Sequence, residues 1–78
     1  MITRLFKEIF QNRRMTFSVK NVGKARTLLE KNNIRIIQSD YIGNGNSGYI
    51  IIDEDDFRIA NHILKSFGIG AFDIRKEY

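Results

Sequence analysis

The chain has no cysteine and one histidine, His62, in 78 residues. Without thiols there is no disulfide framework and no thiolate metal site, and a reducing cytoplasm is the expected setting. Long apolar runs are missing too. The longest clear one is Tyr49-Ile50-Ile51-Ile52, far short of the roughly 20 residues that a bilayer-crossing helix needs. Near the first residue, Arg4, Lys7 and Glu8 interrupt the apolar positions, which is not the pattern of a secretion signal. His62 has no identifiable serine or carboxylate companion, so neither catalytic residues nor enzymatic activity are expected. There is no histidine pair, and Asp53-Glu54-Asp55-Asp56 lacks the ligand repeat of a calcium loop. No metal and no cofactor are therefore expected.

What is present suits one small domain: 42% hydrophobic and 28% charged residues, the balance of a soluble globular protein whose length leaves no interior for a second core. The net charge of +4 is unevenly placed. Residues 1–14 hold Arg4, Lys7, Arg13 and Arg14 against Glu8, a net of +3, and residues 15–78 hold nine basic against eight acidic side chains, a net of +1. Basicity therefore points to the N-terminal segment as the part that meets something anionic or simply stays solvated.

Apolar spacing divides the chain. Ile2, Leu5, Phe6, Ile9 and Phe10 recur at helical intervals, so residues 1–14 are expected to form a basic amphipathic helix, and residues 15–78 a domain. Met15, Phe17 and Val19 alternate with polar residues as in a strand buried on one face. Asn21 is suited to cap a helix running to Asn33, with Val22, Ala25, Leu28 and Leu29 as its buried stripe. A strand over Ile34–Ile42 changes phase at Ile36 and Ile37, which implies a bulge or burial on both faces.

Gly43-Asn44-Gly45-Asn46-Ser47-Gly48 reads as a loose hairpin into a strand at Tyr49–Ile52. A second helix is expected from Asp53 to Phe67, with acidic residues in its first turn, a buried stripe of Phe57, Ala60, Ile63, Leu64 and Phe67, and Gly68 as its end. A last strand covers 69–75, and Arg75-Lys76-Glu77-Tyr78 reads as a solvated tail.

Two strand–helix–strand units joined by a hairpin predict an α+β, ferredoxin-like βαββαβ antiparallel sheet with both helices on one face, plus the additional N-terminal amphipathic helix. Tyr49 and Ile51 then point one way and Ile50 and Ile52 the other, so the uncovered face is apolar at that position. The N-terminal helix or a second copy, giving a homodimer, is expected to cover it.

Phe17 to Ala25, Leu28-Leu29, Asn33-Ile34, Ile50-Ile51-Ile52, Asp56, Ala60 and Ile63-Leu64 together resemble ACT domains and the short PII-like signal-transducing proteins of bacteria, over residues 15–74. The resemblance implies a regulatory domain. In the ACT family it implies an effector turn, here Asn21, Gly23 and Lys24, that helps bind a small amino acid. Val22 stands where that pattern has proline, and the PII-like set is the closer match. In that set the connection at Gly43, Asn44, Gly45 and Asn46 is a contact loop. The element order is also that of the RNA-recognition motif, and Gly48 to Ile52 resembles its third-strand signature. That family stacks bases on aromatic rings of the sheet, and here Ser18 occupies one ring position while Tyr49 is the aromatic at another.

The leading expectation is a non-enzymatic regulatory or interaction module that binds a partner protein. Contacts are expected through Arg4, Lys7, Arg13, Arg14 and the loop Gly43, Asn44, Gly45 and Asn46. Thirteen isoleucines and seven asparagines fit an AT-rich genome, so a bacterial or phage accessory protein modulating a host enzyme is one form of it. The alternatives are nucleic-acid binding through the basic helix with Lys20 and Arg35, and an effector sensor at the Asn21–Lys24 turn.

Overall fold

Met15, Phe17 and Val19 form the inward face of a strand because each alternates with a residue able to face away, and the chain buries what it can. The structure, a computed structural model, describes residues 13–77. The amphipathic helix expected ahead of them lies outside the described residues. In chain order the elements are β1 (Arg14–Val19), α1 (Val22–Lys31), β2 (Ile36–Tyr41), β3 (Gly48–Asp53), a 3-10 turn (Glu54–Asp56), α2 (Phe57–Ser66) and β4 (Phe72–Glu77). The four strands make one antiparallel sheet in the order β2-β3-β1-β4.

Register decides which residues share a face, since directly opposed residues of an antiparallel pair point the same way. Met15 lies opposite Ile52, Phe17 opposite Ile50 and Val19 opposite Gly48. Phe17, Val19, Ile50 and Ile52 join Val22, Ala25 and Leu29 of α1 and Ala60 and Leu64 of α2 in a single buried cluster. Both helices therefore cover the same side of the sheet. The reverse side carries Thr16 opposite Ile51 and Ser18 opposite Tyr49, with Gln38 and Asp40 beside β3 and Phe72 and Arg75 beside β1.

The helix ends follow from local chemistry. Asn21 is extended (φ −138°, ψ 94°), and its side-chain oxygen accepts from the Lys24 N–H at 3.1 Å, satisfying a donor that the first helical turn leaves unpaired. Asn21→Ala is expected to cost about 1 kcal/mol, read as a lower urea midpoint at unchanged slope. Both helices stop in the same way. Asn33 (φ 61°) and Gly68 (φ 75°) adopt the left-handed conformation, and the next residue donates backward, Ile34 to the Leu29 carbonyl at 3.0 Å and Ile69 to the Leu64 carbonyl at 2.8 Å. Each isoleucine is then tucked into the core, the apolar contact that accompanies this kind of stop.

Three expectations are corrected. The acidic run is not the first turn of α2: Asp53 accepts from the Asp55 N–H at 2.9 Å, a local turn that tightens Glu54–Asp56 into a 3-10 turn before the helix begins at Phe57. Phe67 does not join the buried stripe but is 55% exposed, because the helix has ended at Ser66 and the backbone has turned. Arg75 and Lys76 are exposed as expected but are not a tail beyond the sheet: they belong to β4, and the Lys76 ammonium meets Glu54 at 2.9 Å.

The phase change at Ile36 and Ile37 is a bulge, with register shifting between Ile36 and Gln38 against β3. The other edge strand, β4, is bulged too, where its register against β1 shifts between Thr16 and Ser18 and Asp73 takes φ 50°.

Candidate functional site

The sheet has two chemically different ends. Where β1 finishes and β3 starts, the Lys20–Lys24 turn, the 42–47 hairpin and the 67–71 connection come together. Arg13, Arg14 and the acidic turn lie at the other end, about 17 Å away along β1. The residues expected to contact partners are thus split between opposite ends. Arg4 and Lys7 lie outside the described residues. Arg13 and Arg14 are exposed, and the Arg13 carbonyl accepts from the Glu54 N–H at 3.3 Å.

At the first end a cleft of about 420 Å³ opens between the start of α1 and the turn after α2, lined by Lys20, Asn21, Lys24, Phe67, Gly68, Ile69 and Gly70. That volume falls in the range of small-molecule sites. Two of the three effector-turn residues, Asn21 and Lys24, line it. Gly23 does not; it lies beside the Tyr41 hydroxyl, which an added Cβ would meet at 3.4 Å. Phe67, Gly68, Ile69 and Gly70 are not among the contact or effector residues expected from the sequence, where Phe67 and Gly68 read only as the end of a helix. The signal available there was a Gly-x-Gly directly after a helix, where backbone is open to approach.

The charge of the cleft has one sign. Lys20 and Lys24 are exposed, no acidic residue is among the lining, and among the described residues neither lysine forms an ion pair. The positive end of the α1 dipole adds to the same field. The Asn21 side-chain oxygen is engaged by the helix cap. An anion is therefore favoured here, with an apolar surface available at Phe67.

The hairpin is tied to this cleft at its base. Val22 donates its N–H to the Asn46 carbonyl at 2.9 Å, Ile42 to the Ser47 carbonyl at 2.9 Å, and the Ser47 hydroxyl to the Lys20 carbonyl at 3.4 Å. Its tip is open: Gly43 has φ 71°, and a Cβ at Gly43 or Gly45 would meet nothing within 4 Å.

On the reverse face, Tyr49 and Phe72 flank Ser18 from neighbouring strands, so Phe72 supplies an aromatic ring that strand spacing alone did not place. By register Arg14 and Arg75 share this face with Asp40 and Asp53, so it carries no surplus of cations. His62 is exposed on α2, and among the described residues no group of three or more His, Cys, Asp or Glu is placed to hold a metal. Among the same residues no helix is long and apolar enough to cross a membrane. No protein-family model matches the chain, and no curated protein matches it.

Proposed function

We propose that the chain is a ferredoxin-like, non-enzymatic regulatory module that binds a small anionic effector in the cleft at the start of α1 and passes its presence to a partner protein through the Gly43–Asn46 hairpin. The observation that carries this reading is the meeting of Lys20 and Lys24 with Phe67 and Ile69 around one cleft free of carboxylates. A zwitterionic amino acid would leave its ammonium group without a carboxylate partner, beside two lysines. The favoured class is therefore a carboxylate or phosphate with an apolar or aromatic portion, the anion on the lysines and the remainder against Phe67. The bonds from Ser47 to Lys20 and from Val22 to Asn46 join the hairpin to the same turn, so an effector that orders the turn also acts on the loop.

The test is a titration with inorganic phosphate and a panel of aryl and alkyl carboxylates, followed by amide chemical shifts. Shifts are expected at Lys20–Lys24 and 67–70, then at 44–47. Lys20→Ala with Lys24→Ala is expected to weaken binding by about ten-fold or more, the worth of one charged hydrogen bond or better. A flat response across the panel ends this reading. A response confined to oligonucleotides, weakening steeply with salt, would support the nucleic-acid alternative instead.

A further inference from the structure

The hairpin tip holds the dipeptide Asn44-Gly45, and both residues are exposed. For the nitrogen after an asparagine to reach the side-chain amide carbon, the rigid peptide unit between the two residues must rotate, and the second residue must leave room. Room is present at Gly45, where even an added Cβ would meet nothing within 4 Å. Freedom is present too. Among the described residues no hydrogen bond ties the Asn44 side chain or the 44–45 peptide unit to another element.

The other asparagines among the described residues are held. The Asn46 carbonyl accepts from the Val22 N–H at 2.9 Å, which pins the 46–47 peptide unit and engages the nitrogen that follows Asn21. Asn32 Nδ2 donates to the Leu28 carbonyl at 2.8 Å, the nitrogen after Asn32 bonds the Glu30 carbonyl, and the nitrogen after Asn33 bonds the Leu29 carbonyl. Asn61 lies inside α2, where the next N–H belongs to the helix ladder.

We propose that Asn44 is a site of spontaneous covalent modification, converting to aspartate and isoaspartate through a cyclic imide. The Gly45 nitrogen gives up its proton to a solvent base and attacks Asn44 Cγ; the new C–N bond forms, the Cγ–Nδ2 bond breaks, and Nδ2 leaves as ammonia with a proton from water. Water then opens the ring. Breaking the new Cγ–N bond leaves aspartate, and breaking the original peptide bond leaves isoaspartate, whose main chain runs through the side-chain methylene. One water is consumed and one ammonia released, with no change of oxidation state. The net charge falls from +4 to +3, and the negative charge arrives on an exposed loop tip, where the fold tolerates change. The conversion does not rest on the regulatory reading above, although it alters the loop to which that reading assigns partner contact.

The test incubates the full chain in mildly alkaline buffer and follows intact mass, ion exchange and peptide mapping. A gain of one mass unit at Asn44, ahead of every other asparagine, is expected, with isoaspartate among the products. Gly45→Ala adds a side chain to the attacking nitrogen's own residue without meeting a neighbour, and is expected to slow the conversion by about ten-fold or more, a barrier higher by about 1.4 kcal/mol. Conversion at Asn46 or Asn32 ahead of Asn44, an unchanged mass after prolonged incubation, or an equal rate in Gly45→Ala would overturn the inference.

Discussion

Gly48→Ala is expected to cost at least about 3 kcal/mol, the upper end of what overpacking does, and so to remove most of the stability of a domain this small. Gly48 opens β3 on the covered face, between Val19 of β1 and Tyr41 of β2. The bond from Val22 to Asn46 pulls the first turn of α1 down onto this point. A Cβ here would run into the Asp40 carbonyl, come within 2.6 Å of Val22 Cγ2 and within 2.9 Å of the Tyr41 Cα. Two of those obstacles are backbone held in the ladder, so no rotamer change relieves them. Gly45→Ala is the control: its Cβ would meet nothing within 4 Å, and a change within about 0.5 kcal/mol is expected. Urea unfolding followed by circular dichroism compares the two, and equal midpoints would show that Gly48 is not pinned between α1 and β2.

Phe17→Ala is expected to be the most damaging truncation in the core. The ring is fully buried among side chains from both helices and β3, and it meets the Phe57 ring edge-on at 5.5 Å and 61°. Removing it costs about 3–5 kcal/mol in lost burial and residual cavity, the aromatic pair adding about 1 kcal/mol beyond area. Each kcal/mol moves the melting temperature of such a domain by about 4–8 °C, so a fall of at least about 15 °C is the expected readout. Phe17→Leu keeps most of the volume and is expected to lose far less. A drop of under 5 °C for the alanine variant would place Phe17 outside the core.

The fold was legible where sequence signals are local and agree with one another. Asn21 could be read as a cap because the next residues begin a helical stripe, and Gly68 as a stop because the stripe ends there. The bulge at Ile36–Ile37 was visible as one isoleucine out of phase. The errors arose where a local signal had two physical outcomes. An Asp followed by three acidic residues suits a helix start, but the same aspartate can take the N–H two residues on, and here it does. Asp73 at positive φ left no clear trace, since aspartate tolerates that conformation without signalling it as glycine does.

The candidate site was half legible. Asn21 and Lys24 lie on a recognisable turn, whereas Phe67–Gly70 reach the cleft only because α2 ends over the start of α1. The pairing of Lys76 with Glu54 joins residues far apart in the chain, which no spacing rule reaches.

The displaced residues on the two outer strands have an effect at high concentration. An unbroken strand border is a row of evenly spaced amides onto which another chain can zip, the first step toward fibrils. Here β2 breaks that row at Ile37 and β4 breaks it at Asp73, with Arg75 and Lys76 adding charge along the second border. Isoleucine-rich as it is, the sheet thereby offers neither border as an unbroken template for sideways growth.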